Sequence, residues 1–228
     1  MQNKSIDFFI MAAMADELAA LKTNKLVGII QTGKGRWQIR RLSNGKQVAT
    51  AVCGIRAPKA EVLIKAAKAE GMCELLFVGC CGGLDREMCF EKIVVAKEII
   101  STQIEQNIYH TSKNLTEKIV KVLPEANVGK MVCAPHVLET ITQKQECYNK
   151  TKALAVEMEG TIVAAAADKY DVKLAMVKWV LDGEQENISN SIQNKIFQNS
   201  LGFTALHSRM RKISLNIASF VENLSEMM

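Results

Sequence analysis

Glu157 and Glu159 flank Met158 in the run Ala155-Val156-Glu157-Met158-Glu159-Gly160, between a short apolar segment and an alanine-rich stretch. Carboxylates are seldom buried without a partner. In open α/β sheets, the point where a strand hands over to a helix is where ligands bind. Two acids there suit a ligand rich in hydroxyl donors, or one that gains positive charge as it reacts. On a strand, residues i and i+2 share a face; on a helix they lie about 200° apart. Glu157 and Glu159 therefore converge on one ligand only if the backbone there is extended or bent. The pair also fits a plainer role, as acidic partners of the dipole of the following helix.

Two more acids follow apolar runs. Asp182 stands in Val180-Leu181-Asp182-Gly183. An acid before glycine past a strand is a turn or cap residue, or a catalytic acid at the rim of a sheet. Glu17 stands in Met14-Ala15-Asp16-Glu17, where a carboxylate favours a helix dipole or acts as a base that activates water. A glycine-rich run, Gly79-Cys80-Cys81-Gly82-Gly83, follows another strand. It lacks the endings of a phosphate loop or a dinucleotide fingerprint, yet permits close backbone approach to an anion or a sugar. If the strands are parallel, all three acidic sites lie along one rim.

The elements that must position these residues read as alternating strands and helices. Strands are predicted over residues 6–14, 26–31, 37–42, 47–53, 74–78, 92–100, 129–133, 153–156 and 173–180. Asn44-Gly45 marks a hairpin turn before the fourth of these. Helices are predicted over 15–22, 58–71, 114–123, 137–148 and 161–170, with one or two more from 191 onward. Pro58 suits a first helical turn. Strands that are apolar throughout imply a sheet covered on both faces. The fold class expected is α/β, a three-layer α/β/α sandwich around a mixed, largely parallel sheet. No repeat or linker interrupts the 228 residues, which suit one domain over 1–228.

Composition narrows the function. The net charge of +5 is spread along the chain, and the short basic cluster at 209–212 reads as a solvated face. No nucleic-acid partner is expected. Seven cysteines include no C-x-x-C pair, and the three histidines lie far from cysteine clusters. No metal site is expected, and reduced thiols in the cytoplasm are the simplest account. The early apolar stretch is too short for a membrane span.

Together, these motifs resemble the nucleoside phosphorylase and nucleosidase superfamily, including the methylthioadenosine/S-adenosylhomocysteine nucleosidases. The carriers are Ala13-Met14-Ala15-Asp16-Glu17, Cys53-Gly54-Ile55, Gly79-Cys80-Cys81-Gly82-Gly83-Leu84, Ile93-Val94-Val95, Ala155-Val156-Glu157-Met158-Glu159 and Val180-Leu181-Asp182. The resemblance implies cleavage of the N-glycosidic bond of a purine nucleoside with water as nucleophile. Glu159 would bind the ribose hydroxyls, with Glu157, Met158 and Met14 lining the sugar. Asp182 would help deliver a proton to the purine, with Val137 and Leu138 beside the base. Glu17 would activate the water. Gly54, Arg56, Gly79, Cys80 and Gly82 would border the nucleophile.

Other stretches, Val52-Cys53-Gly54, Pro58-Lys59-Ala60 and Gly82-Gly83-Leu84-Asp85, are similar to hopanoid-associated nucleoside phosphorylases. That branch implies inorganic phosphate as co-substrate, with Arg56 as its cationic partner. A third alternative is a non-catalytic nucleoside-binding protein on the same scaffold. Leu181 stands where nucleosidases commonly carry serine, and Val137 falls near the place of a base-stacking aromatic. The resemblance implies a homodimer or larger homo-oligomer and no organic cofactor.

Overall fold

The computed structural model describes residues 6–102, 108–188 and 201–227. At its centre is β1 (Phe8–Ala12), whose five residues are all buried. A strand buried on both faces needs no polar alternation, hence its continuous apolar run. Successive side chains enter opposite cores: Phe9 and Met11 join one cluster, Phe8 and Ile10 the other.

β4 (Gln47–Val52) and β5 (Glu74–Gly83) run parallel to β1 on either side. Beyond β4, an antiparallel meander of β2 (Lys25–Gln31) and β3 (Arg36–Arg41) forms one edge. Beyond β5, β10 (Lys173–Asp182) pairs in parallel along its length. β6 (Ile93–Ser101) joins β10 antiparallel and carries β7 (Ile108–His110). β8 (Asn127–Cys133) runs parallel to β6, and β9 (Ala155–Glu157) runs parallel to β8. β9 then pairs antiparallel with the end of β5, Gly82 opposite Val156. The pairings β5–β10–β6–β8–β9 thus close into a ring.

Helices α1 (Ala60–Ala69) and α4 (Gly160–Lys169) cover one face through Leu63, Ile64, Val163 and Ala167. Helices α2 (Lys113–Val122) and α5 (Leu201–Met227) cover the other through Leu115, Ile119, Ile217 and Phe220. α3 (Ile141–Thr151) lies over a smaller cluster with Cys147, Leu84 and Val156. The architecture is the expected α/β/α sandwich around a mixed sheet. Among the described residues, no helix is long and apolar enough to cross a membrane.

Four expectations change. Residues 15–22 do not form an α-helix; only a 3-10 turn at Ala20–Thr23 appears. Glu17 is held instead by the Cys80 N–H of β5, 63 residues away, a tie that local helix propensity does not contain. The glycine run 79–83 is not a turn but the continuation of β5. Its glycines admit close neighbours: a Cβ on Gly83 would lie 2.0 Å from the Met88 carbonyl oxygen. The helix predicted from 137 starts at Ile141, because Thr140 and Gln143 form a capping box there. Finally, the common-rim argument holds for Glu17 and Asp182 but not for Glu157, since β9 opposes β5. Glu157 reaches the same place by antiparallel pairing instead. The predicted start of the last helix at 191 lies outside the described residues, as do residues 103–107.

Candidate active site

The ends of β1, β5, β9 and β10 meet around one cavity of about 180 Å³. Met14, Glu17, Cys80, Gly82, Val137, Leu138, Glu157, Met158, Glu159 and Asp182 all line it. Gly54, Arg56 and Gly79 do not, although each touches the chain that does.

Glu17 is buried, with 1% of its surface exposed. Its Oε2 accepts from the Met14 N–H at 2.8 Å and its Oε1 from the Cys80 N–H at 2.8 Å. Gly79 makes that approach possible. Its φ is +148°, and a Cβ there would stand 2.4 Å from Glu17 Oε1.

Glu157 and Glu159 separate in role. Glu157 turns back on its own chain: Oε2 accepts from the Glu159 N–H at 2.9 Å, and both oxygens accept from Gly160 N–H at 2.8 and 2.9 Å. It therefore serves the start of α4, as the helix-dipole reading required. Burial pushes its pKa up to about 7, against the pull of Lys178 and with a push from Glu159. Glu159 Oε1 accepts from the Arg56 N–H at 2.9 Å, across 103 residues of sequence. Burial raises its pKa also. The Arg56 side chain points elsewhere, its Nη2 lying 3.2 Å from His136 Nδ1.

Two lysines that sequence reasoning missed complete the site. Lys178 is fully buried. Its ammonium sits 3.8 Å over the Phe77 ring centroid and 3.5 Å from the Val78 carbonyl oxygen. Burial pulls its pKa down, but Glu17, Glu157 and Glu159 together hold it above the ordinary lysine value. One buried positive charge thus sits among three carboxylates that hold it protonated. Its signal was present in the sequence: a lysine at an inward position of an apolar strand, in Leu174-Ala175-Met176-Val177-Lys178-Trp179. Lys144 offered no such signal, standing in a polar helix. It too is fully buried, and its Nζ lies 2.5 Å from Asp182 Oδ2. Burial raises the Asp182 pKa and Lys144 opposes that rise.

The turn after β10 is braced separately. The Gly183 N–H donates to Glu186 Oε2 at 2.9 Å. Arg209 grips Glu186 through two bonds of 2.8 and 2.7 Å and also donates to the Leu181 carbonyl. The guanidinium holds the Glu186 carboxyl down at about 2. Arg209 is therefore a structural clamp, not part of a solvated face.

Chemically, the cavity has an acidic floor over a cation and apolar walls from Ile55, Val137, Leu138, Ile188 and Leu206. The Cys80 and Cys81 thiols there are not activated nucleophiles, since burial drives both pKa values up. An acidic end beside apolar walls suits a sugar joined to a flat, weakly polar ring.

Solved structures share the whole fold. Helicobacter pylori 5′-methylthioadenosine/S-adenosyl homocysteine nucleosidase in an inhibitor complex superposes with a TM-score of 0.79, covering 99% of this chain and 100% of that one at 18% identity. The futalosine hydrolase of Helicobacter pylori strain 26695 gives 0.77, with 97% of each chain covered at 18% identity. The Neisseria meningitidis 5′-methylthioadenosine/S-adenosylhomocysteine nucleosidase gives 0.79, covering 97% and 99% at 16% identity. No curated protein matches significantly by sequence. At these identities the likeness is one of fold. A sequence profile of the phosphorylase superfamily, however, matches residues 7–203, which include every acid of the cavity, and the chain belongs to that superfamily.

Proposed function

We propose that this protein is a nucleosidase, which cleaves the N-glycosidic bond of an adenosine-type purine nucleoside with water as nucleophile. The observation that carries the reading is the convergence of Glu17, Glu159 and Asp182 on one cavity with apolar walls. The similar solved structures named as nucleosidases and a futalosine hydrolase support it.

In this reading Glu159 accepts hydrogen bonds from the ribose hydroxyls, and its charge favours the cationic sugar of the transition state over the neutral ground state. Glu17 takes a proton from water as the water oxygen bonds to the anomeric carbon. Its two backbone bonds leave lone pairs for that proton. The bond from sugar to base breaks, its electron pair goes to the base, and Asp182 supplies the base with a proton. A raised pKa in a closed site suits an acid of that kind. Lys178 offsets the mutual repulsion of the carboxylates.

One test uses a panel of adenosine, inosine, 5′-methylthioadenosine, S-adenosylhomocysteine and futalosine, with and without phosphate. Base release without phosphate, yielding free ribose or its 5′-substituted form, is expected. A strict need for phosphate and a ribose 1-phosphate product would replace hydrolysis by phosphorolysis. The Arg56 guanidinium, exposed and 3.2 Å from His136 of the cavity lining, is the observation that favours that second reading. Binding of the panel without turnover would mark a nucleoside-binding protein. We also propose a homodimer or larger homo-oligomer, to be checked by sedimentation at micromolar concentration.

A further inference from the structure

We propose that Lys144 is the positioning residue of the leaving-base step: it grips Asp182 by Oδ2, aims Oδ1 at the base, and stabilises the carboxylate left when Asp182 gives up its proton. This rests on the nucleosidase reading and assigns a task to a residue outside the cavity lining.

The geometry is specific. An ammonium carries three N–H donors. Lys144 spends one on Asp182 Oδ2 at 2.5 Å, one on the Gly183 carbonyl and one on the Glu186 carbonyl, the last two at 2.8 Å. It is fully buried and has no donor left for a ligand. Burying such an ion costs free energy, so its attachment to one wall of the cavity calls for a reason. Asp182 in turn has one oxygen committed to Lys144 and one left for the cavity it lines.

The other charges around Asp182 do not share the task. Glu186, on the turn beyond β10, is matched by the two bonds from Arg209 of α5. Glu184 accepts from the Gln145 side-chain amide of α3. Glu157, on β9, is tied to the start of α4, and Cys81, on β5, remains a thiol. Lys144 is thus the direct counter-ion of Asp182. Burial raises the Asp182 pKa, and Lys144, bonded to Oδ2, opposes that rise.

The step balances. The bond between the anomeric carbon and the base nitrogen breaks with both electrons going to the base. The proton on Asp182 Oδ1 bonds to a ring nitrogen of the base. The new negative charge on Asp182 is held against the Lys144 ammonium, which keeps its own protons. Water adds to the sugar, and its proton goes to Glu17. Exchange with solvent then returns a proton to Asp182 and removes one from Glu17.

The test compares two substrates, whichever nucleoside of the panel above wild type cleaves fastest and 4-nitrophenyl β-D-riboside, whose nitrophenolate leaves without being protonated. Wild type, K144M, K144Q, K144R and D182N are assayed across pH. K144M and K144Q should lose about 10²-fold in kcat on the nucleoside, the lower end of what a positioned general acid contributes. KM should change little, and activity on the riboside should be kept. Their alkaline limb on the nucleoside should move to higher pH, because the active form is neutral Asp182 and its pKa rises without Lys144. K144R should restore part of the loss. Equal losses on both substrates in K144M and K144Q, or an unmoved alkaline limb in whichever of them folds, overturn the role of Lys144. If D182N loses only the nucleoside while the Lys144 variants match wild type, the nucleosidase reading stands and this inference falls. If wild type cleaves neither substrate, both fall.

Discussion

Glu157 and Glu159 are two residues apart and do different work. Glu157 is spent on three backbone bonds at the start of α4, whereas Glu159 takes one from Arg56 and faces the cavity. Substitution should separate them. E159A is expected to cut turnover strongly with a smaller effect on thermal stability, measured by kcat and by a melt of the same preparation. E17Q should lose about 10²–10⁴-fold in kcat, the range for a general base, with its fold intact by circular dichroism. K178M leaves three acids without their buried cation. Buried acids that lose a neighbouring cation are less stable in their ionised forms, and a urea titration should read the loss. A K178M melt equal to wild type would show that the carboxylates are screened by something else.

At the scale of elements, β5 and α5 hold the site in opposite ways. β5 works by the absence of side chains. Gly79 lets Glu17 approach the strand, and Gly82 lies 3.2 Å from Val156 at the position where a Cβ would stand. G79A places a methyl group 2.4 Å from Glu17 Oε1, at a positive φ that alanine rarely adopts. It should therefore reduce activity far more than a surface Gly→Ala change, with the displaced Glu17 visible in a crystal structure. α5 works by mass. Phe220 packs against Trp179 of β10 with ring centroids 5.9 Å apart, and Arg209 clamps the turn that follows Asp182. F220A should cost about 3–5 kcal/mol by denaturant melt, the usual loss for a buried phenylalanine. A loss under about 1 kcal/mol would mean that α5 can refill the gap.

For the molecule as a whole, the buried acids set the pH dependence of stability. The pKa of Glu157 is raised from 4.5 to about 7 by burial. Between those values the unfolded chain releases a proton that the folded chain keeps. The folded state then binds more protons, so this group makes stability fall as pH rises through that window, with the full penalty present above it. E157Q removes the titration and should show a smaller decline in melting temperature between pH 5 and 7.5 than wild type. An equal decline would place the titration on another group. Lys178 acts in the same direction in a higher window: its pKa is raised too, so it contributes stability that is present below the ordinary lysine range and lost as pH rises through it.

The sequence by itself determined the layered α/β fold, most element positions and the set of acids. These depend on local signals: apolar runs buried on both faces, an Asn-Gly turn, and acids directly after strands. It did not determine the direction of β9, which pairing with Gly82 and Gly83 decides from more than seventy residues away. The helix expected at 15–22 failed because Glu17 is bound to Cys80 across 63 residues, a contact that local propensity does not contain. Lys144 and Asp182 stand 38 residues apart, and nothing near either one announces the other. Arg56 and Glu159 are a longer case of the same kind. Only the tertiary structure decided which charges face each other, because burial turns a pairing that water would screen into one that fixes orientation and protonation.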